Sequence, residues 1–351
     1  MILVNSPGSW DHVHAQLAHA DWNGCTLADL VFPAFLFIVG AAIPVAFERR
    51  AAARAAPAAT LARVARRTLL LFALGLFING FPSYYDPATL RIPGVLQRIA
   101  VCYLAGSLLA LTTRPPTQAV LAVAILVGYW ALLALVPAPG GIPGDLAPKE
   151  ANFVAWVDRK LLSGHLLHDS WDPEGILSTL PALGTTLTGM LAGSWLLSSR
   201  GPRAKAPGLA GAGALLLALG LGWGQSFPLN KNLWTSSFVL LSSGISLLLL
   251  AASHALVGRA GLRRWSLPLV VLGANPIVAY VGSLLVDMQL ERVPLALSNG
   301  AWTTPKYWMW QHVFAPWAGP TNGSLLYAMA YVLGWLGVSA LLYRRRVFIR
   351  V

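Results

Sequence analysis

The sequence predicts an all-α fold, a polytopic transmembrane helix bundle, from three observations. The 351 residues are 56% hydrophobic and only 11% charged, whereas about a quarter of the residues in a soluble domain carry charge. The mean hydropathy is +0.62. Apolar stretches close to the roughly 20 residues that a spanning helix needs recur along the whole chain. We therefore expect a single integral-membrane domain over residues 1–351.

Each apolar stretch predicts one helix, and nine are expected to be complete. They cover residues 31–47, 68–80, 92–112, 118–136, 176–197, 208–224, 233–253, 267–287 and 325–343. The residues up to Asn5 are typical of the end of a further, truncated first helix. Gly189 and Gly193 have the small-xxx-small spacing that lets two membrane helices approach closely.

The basic residues predict the orientation of these helices. Seventeen of them lie in alternate connections. They are Arg49, Arg50, Arg54, Arg63, Arg66, Arg67, Arg114, Arg200, Arg203, Lys205, Arg259, Arg263, Arg264, Arg344, Arg345, Arg346 and Arg350. Because short cytoplasmic loops collect Lys and Arg, these connections and the C-terminus are expected in the cytoplasm. The net charge of +12 then follows from topology, and we expect no nucleic-acid partner.

This orientation places most acidic and polar groups at the outer face. The longer outer loops are expected at about 137–175 and 288–323. The second contains several tryptophans and is expected to be a partly helical interfacial loop, since such rings favour the membrane–water boundary. Any chemistry is therefore expected near the outer face.

Four polar groups have structural and functional interpretations that the residues alone leave open. His19, just before the first complete helix, can lie in the headgroup region or exchange a proton or an acyl group. Thr26 to Asp29 fits a capping box. Asp172-Pro173-Glu174-Gly175 suits a helix start, with Asp172 as N-cap, or a site for an amine or sugar. Arg98 lies inside a predicted helix, where it either extends to the interface or faces protein, water or an anion.

Several of these segments together resemble the heparan-α-glucosaminide N-acetyltransferase family and its bacterial members. The matching stretches are "VNSPGSW", "HADWNGCTLADLVFPAFLFIVG", "RIPGVLQRIAVCYL", "DPEGILSTLPALGTTLTGMLAG", "PLNKNLWTSSFVLLSSG" and "GANPIVAYVG". They run over nearly the whole chain, and their order is more specific than any one of them. Members of the family begin with a complete first helix, so the resemblance implies ten helices in all.

The resemblance implies an acyltransferase that moves an acetyl group from cytosolic acetyl-coenzyme A, its cosubstrate, to an amino sugar or glycan on the far side of the membrane. The family's acetyl-handling histidine corresponds to His19. The asparagine that closes its first helix corresponds to Asn5.

We expect His19 to act as acyl carrier or general base and Asn5 to donate a hydrogen bond to the developing oxyanion. The acceptor is expected to be bound by six residues, and Arg98 is expected to contact the coenzyme. The six are Trp22, Asp172, Glu174, Asn230, Lys231 and Asn232. No metal is expected.

Other function classes remain as alternatives. An amino-sugar or oligosaccharide permease would use the same polar residues without chemistry, but its polar groups would be expected at the membrane midplane. A structural subunit of an envelope complex is a third class. The expected location is the bacterial inner membrane, with lipid as a partner and a homodimer left open.

Overall fold

A computed structural model describes residues 1–52, 56–81, 85–257, 266–297 and 302–349. Within these ranges the chain is helical apart from loops and one two-stranded antiparallel ribbon. The longer helices are α2 (Leu27–Ala52), α3 (Pro57–Gly80), α4 (Val95–Thr112), α5 (Pro115–Leu135), α7 (Ile176–Leu197), α8 (Pro202–Trp223), α9 (Ser236–Val257), α11 (Pro276–Arg292) and α14 (Pro320–Arg344). The shorter elements are α1 (Ile2–Asn5), α6 (Phe153–Leu162), α10 (Leu267–Ala274), β1 (Leu295–Ala296), β2 (Trp302–Thr303), α12 (Pro305–Met309), a π-helix (Trp310–Phe314) and α13 (Ala315–Ala318).

An all-α, multi-pass membrane fold is confirmed, with fewer complete spans than the nine predicted. Seven helices in the described ranges are long and apolar enough to cross a membrane. They are α2, α4, α5, α7, α8, α9 and α14. The stretch 68–80 forms the second half of α3, whose first half carries Arg63, Arg66 and Arg67. This helix is therefore less apolar than the other seven.

The predicted helix over 267–287 is broken at Asn275, where α10 and α11 meet at 78°. Pro276 opens α11, and its ring removes the backbone donor that a continuous helix would need. The Asn275 side chain bonds the chain beyond α14: its Nδ2 donates to the Val347 carbonyl at 3.0 Å. Its Oδ1 accepts from the Ile349 N–H at 2.8 Å. The stretch therefore forms two helices at a sharp angle instead of one straight helix.

The two loops predicted to lie outside contain structure that composition did not fully predict. The first includes α6, capped by Asn152, whose Oδ1 accepts from the Ala155 N–H at 2.9 Å. The second is partly helical, as predicted, since α12, the π-helix and α13 lie within it. Five arginines used for the orientation argument lie outside the described residues. They are Arg54, Arg259, Arg263, Arg264 and Arg350.

The described chain forms two compact units. The larger comprises residues 20–25 and 29–256, and the smaller comprises residues 1–19, 26–28 and 257–351. The prediction of one domain over the whole chain stays a prediction.

Small residues hold α2 and α7 together in the larger unit. A Cβ atom at Gly40 of α2 would collide with the Thr186 carbonyl of α7. One at Gly189 or Gly193 would collide with backbone carbonyls of α2. The close approach predicted from the small-xxx-small spacing is therefore confirmed. A buried hydrophobic cluster in the same unit includes Trp22, Tyr129 and Leu233.

Candidate active site

Asp29 lies buried in the first turn of α2 and takes part in an ion pair. Its Oδ2 accepts from the Ala20 N–H at 3.1 Å. Its Oδ1 lies 3.5 Å from Lys231 Nζ. Burial lowers the pKa of Lys231, and the negative charges of Glu174 and Asp29 partly oppose this effect. Asp29 therefore does more than the capping role expected from "TLAD", because it joins the start of α2 to the segment before α9.

The asparagines on either side of Lys231 differ in what they bind. Asn230 is fully buried: its Nδ2 donates to Asn23 Oδ1 at 3.2 Å, and its Oδ1 accepts from the Leu233 N–H at 2.8 Å. Asn232 is half-buried, and its side chain makes no hydrogen bond within the described part of the chain. Asn230 thus shapes the loop, whereas the amide of Asn232 remains available to a ligand.

Arg91 binds both carboxylates of the "DPEG" motif. It contacts Asp172 through Nε and Nη2 at 2.8 and 2.7 Å. The same Nη2 donates to Glu174 Oε2 at 2.6 Å. Burial alone would lower the pKa of Arg91, but these two carboxylates outweigh it and raise the pKa. The result is a partly buried triad of charged side chains in the larger unit.

The helix α7 begins at Ile176, as the apolar stretch 176–197 predicted, but its N-cap is Gly175. The interpretation of Asp172 as N-cap is therefore wrong. Asp172 Oδ1 accepts from the Glu174 N–H, and Asp172 Oδ2 accepts from the Leu167 N–H. Because Arg91 and two backbone amides already occupy its oxygens, Asp172 holds the loop in place instead of capping a helix.

Arg98 is buried in protein, with only 2% of its surface exposed. Its Nη2 donates to Ser178 Oγ at 2.5 Å and to the Gly175 carbonyl at 3.2 Å. Its Nε donates to Thr179 Oγ1 at 3.3 Å. Within the described residues, Nη1 is buried and has no hydrogen-bond partner. Its hydrogen bonds are all to neutral acceptors, so part of its hydrogen-bonding capacity remains for a ligand.

The face of Trp234 supports the same guanidinium. Arg98 Cζ lies 4.9 Å from the centre of this ring, a cation–π contact. Trp234 is fully buried, and its φ of +52° is rare for a bulky side chain. Its Nε1 donates to Thr185 Oγ1 at 3.2 Å. A strained backbone therefore places this indole against the arginine, which no sequence motif had indicated.

Three of the predicted acceptor-binding residues meet in the larger unit around a closed cleft, which is filled by its own side chains. Trp22, Asp172 and Asn232 line it with the additional polar residues Lys149, Asn152 and Asp158 and with the indole of Trp171. The Trp22 and Trp171 rings meet edge to face, with centres 5.4 Å apart. Trp22 Nε1 is held by the Leu146 carbonyl at 2.8 Å. Indoles beside amides and carboxylates are the groups that suit a ligand with both apolar and hydroxyl-bearing surfaces.

The two predicted catalytic residues, His19 and Asn5, belong to the smaller unit. His19 is exposed, and Asn5 is half-buried at the end of α1. The same unit contains a buried ion-pair network in which Lys306 Nζ donates to Asp287 Oδ2 at 2.9 Å and to Glu291 Oε1 at 2.7 Å.

Sequence reasoning missed four residues around the predicted site of the larger unit, and it expected Asp29 only as part of a helix cap. The four are Arg91, Asp158, Trp171 and Trp234. Of these, Arg91 is seven residues before Arg98 in "RIPGVLQR", and its charge next to a proline-glycine segment was the one available signal.

Comparison with known proteins gives the family. A sequence model described as "Heparan-alpha-glucosaminide N-acetyltransferase, catalytic" matches residues 9–222. The human heparan-alpha-glucosaminide N-acetyltransferase is 30% identical over an alignment of 338 positions, and the match covers 80% of this chain and 50% of the human protein. The mouse protein of the same name is 28% identical over an alignment of 347 positions, and the match covers 82% of this chain and 51% of the mouse protein. This chain therefore spans about half the length of the relatives it matches. On these matches, the chain belongs to the heparan-α-glucosaminide N-acetyltransferase family.

Proposed function

We propose that this protein transfers an acetyl group from cytosolic acetyl-coenzyme A to the amine of an amino sugar or glycan at the outer face of the membrane. The family name supports the acetyl transfer and the sugar amine. The charged and aromatic groups of the larger unit support a polar acceptor. The observation that carries the proposal is the cleft in which Trp22, Asp172 and Asn232 meet.

The charges near this cleft suit the binding of both substrates. The carboxylates of Glu174 and Asp29 attract the Lys231 ammonium electrostatically. Those of Glu174 and Asp172 attract the Arg98 guanidinium in the same way. We assign Asn232 and Trp22 to direct contact with the acceptor. Asn230, Lys231, Glu174 and Asp172 shape and polarise its surroundings.

Arg98 is proposed to bind the acyl donor. Its unpartnered Nη1 can donate to an oxygen of the coenzyme or of the thioester, and charge-assisted hydrogen bonds are among the stronger ones. The other guanidinium N–H groups that form bonds donate to three neutral oxygens, those of Thr179, Gly175 and Ser178, and the Trp234 ring stabilises the buried positive charge.

His19 is proposed to carry out the transfer, either as a transient acyl-imidazole or as the base that deprotonates the acceptor. Asn5 is proposed to donate its amide N–H to the oxyanion that forms at the thioester carbonyl. Loss of one such donor typically raises the barrier by about 3–4 kcal/mol.

The chain is proposed to lie in the bacterial inner membrane with its C-terminus in the cytoplasm. The distribution of Lys and Arg among the connections supports this orientation. It gives the donor access from the cytoplasm and the acceptor access from outside.

Transfer is tested with the purified full chain in lipid nanodiscs, acetyl-labelled acetyl-coenzyme A and glucosamine. The wild type is expected to label glucosamine, and His19→Ala is expected to lower the rate at least about 100-fold because it loses the proton- or acyl-transferring group. His254→Ala is the matched control, since His254 is an exposed histidine in the last turn of α9 and has no proposed role in transfer. Equal rates for wild type and His19→Ala would remove the catalytic assignment.

The two roles of His19 are separated by omitting the acceptor. An acyl-imidazole predicts label on the protein after rapid quenching, which His19→Ala abolishes. A general base predicts no protein-bound label although transfer to glucosamine is normal.

Transport without chemistry is the alternative function. The break at Asn275 inside a bent span favours it, since broken helices are common in transporters. Accumulation of labelled N-acetylglucosamine in vesicles that contain no coenzyme would support transport. Its absence, together with acetyl transfer, would support the enzyme.

A further inference from the structure

Asp158 is a buried carboxylate that neither the motifs nor the proposed mechanism uses. It lies in α6, and none of its surface is exposed. Its Oδ1 accepts from the N–H of Ile176, the first residue of α7, at 2.9 Å. Its Oδ2 is also buried and has no hydrogen-bond partner among the described residues.

Capping α7 does not by itself explain a carboxylate at this position. An asparagine would accept the same N–H bond without bringing a charge into a buried site. Burial raises the pKa of Asp158 to about 6, and the charge of Asp172 adds to this rise. The backbone N–H groups of Ile176 and Leu177 and the charge of Arg98 oppose it. A buried carboxyl kept with one oxygen unpaired is therefore a candidate for a functional group.

Three neighbouring elements face this carboxyl with charged or titratable groups. Asp172, before α7, and Arg98, from α4, both act on it electrostatically. Tyr129, from α5, is also within electrostatic range. Gly175 packs so closely that a Cβ atom would collide with both Asp158 oxygens. The backbone at this position therefore leaves no room for a side chain between Asp158 and the start of α7.

Asp158 also lines the cleft that contains Trp22, Trp171 and Asn232. In the structure the cleft is filled by its own side chains, so a sugar can enter only if one of them moves. Trp171 is the side chain proposed to move, since it is only half-buried: one face stacks on the exposed His168, with ring centres 4.4 Å apart, and its other contact is edge to face with Trp22. A ligand in its place would lie between the Trp22 indole, the Asn232 amide and the Asp158 carboxylate.

We propose that Asp158 binds the ammonium group of an amino-sugar acceptor through Oδ2 and takes its first proton. This inference rests on the proposed acetyl transfer. An ammonium group supplies the donor and the positive charge that the unpaired oxygen lacks.

Acetylation of the bound ammonium then proceeds in four steps. Asp158 Oδ2 takes one proton from the ammonium, which leaves a neutral amine and a carboxylic acid. The nitrogen lone pair forms a C–N bond to the acetyl carbonyl carbon, and the bond from that carbon to its leaving group breaks. The second nitrogen proton goes to the leaving group, and Asp158 then releases its own proton to water.

Asp158→Asn tests the proposal, because the amide oxygen keeps the cap of α7 while the charge and the proton acceptor are lost. The full chain in nanodiscs is assayed for glucosamine acetylation between pH 5 and 9. We expect kcat/KM at pH 6.5 to fall at least about 100-fold. The deficit should shrink toward pH 9, where more of the acceptor is already an unprotonated amine. Asp169→Asn, an exposed acid in the same loop, should match the wild type.

Binding is measured separately by calorimetry with glucosamine and N-acetylglucosamine, which lacks the ammonium. The wild type should bind glucosamine at least about tenfold more tightly, and Asp158→Asn should remove this preference. An unchanged preference and pH profile in Asp158→Asn overturns the proposal. A deficit that is equal at every pH and comes with a lower melting temperature also overturns it, since that is the behaviour of a helix cap. A wild type that binds glucosamine selectively but transfers no acetyl refutes the enzyme and leaves the ammonium site standing.

Discussion

Arg91 and Arg98 are seven residues apart in the larger unit, yet their surroundings differ in charge. Arg91 makes three hydrogen bonds to the carboxylates of Asp172 and Glu174. Arg98 bonds only hydroxyl and carbonyl oxygens, packs on Trp234, and keeps one buried nitrogen without a partner. Arg91 neutralises two carboxylates of the protein itself. Arg98 has no carboxylate among its hydrogen-bond partners and retains one unpartnered donor, Nη1, which we assign to the proposed acyl donor. A buried charge can thus serve stability or function according to what it faces.

The largest expected effect on stability is that of Arg91→Met. This change leaves two buried carboxylates without their cation, and breaking such a pair typically costs about 3–5 kcal/mol. The expected result is a large fall in the apparent Tm of the detergent-solubilised protein. Arg91→Met combined with Asp172→Asn and Glu174→Gln should recover part of the loss. A Tm within a degree of the wild type would show that the triad does not stabilise the fold.

Arg98→Met should instead reduce activity more than stability. No carboxylate loses its hydrogen-bonded partner, but a donor aimed at the proposed acyl donor is lost. Hydrogen bonds to charged groups contribute about 1.5–3 kcal/mol, which corresponds to roughly 10- to 150-fold in KM for acetyl-coenzyme A. Lys160→Met, at an exposed position of α6, serves as the control. A normal KM with a strongly lowered Tm would place Arg98 in the same class as Arg91.

The pH dependence of stability should distinguish Asp158, which has one unpaired oxygen, from Asp172 and Glu174, which bind Arg91. The pKa of Asp158 is raised from 3.8 to about 6 in the folded state, so the folded protein holds this proton more tightly than the unfolded chain. Its contribution to stability is therefore greatest below pH 4 and falls as the pH rises to about 6. The difference is on the order of 3 kcal/mol at most. Asp158→Asn should flatten the Tm profile between pH 4 and 7. An identical profile in the variant would contradict the raised pKa.

The smallest effect is expected at Lys149, whose ion pair with Asp21 is solvent-exposed. The two atoms lie 2.6 Å apart, but Asp21 has a side-chain exposure of 92%. Exposed pairs contribute about 0–1 kcal/mol. Asp21→Asn should therefore leave Tm and activity close to the wild type. A loss comparable to that of Arg91→Met would mean that distance alone, without burial, decides the value of a pair.

The long apolar helices could be predicted because a membrane requires continuous apolar length, which composition shows directly. Trp22, Asp172 and Asn232, which were expected to bind the acceptor, do line one cleft, and their role there stays a prediction. The partners of Arg91 could not, since 81 residues separate Arg91 from Asp172 and only the tertiary fold joins them. Asp158 was hidden because "VDRK" in a loop looks like solvated charge.

The role of Asp172 was another source of error. Asp172 and Pro173 have the signals of a helix cap, yet Arg91 binds the carboxylate and Gly175 caps the helix that begins at Ile176. The break at Asn275 had a signal in "GANP", because a proline disfavours helical backbone at the residue before it. The apolar residues on both sides concealed that signal.

The side chain of Asn275 has a consequence for how the smaller unit can be altered. Its amide supplies hydrogen bonds to Val347 and Ile349 at a point where the helix itself is interrupted. Removing the chain from residue 347 onward would leave the buried Asn275 amide without these two partners and weaken the bend between α10 and α11. The segment after α14 thus stabilises a bend that lies 72 residues before Val347 in the sequence.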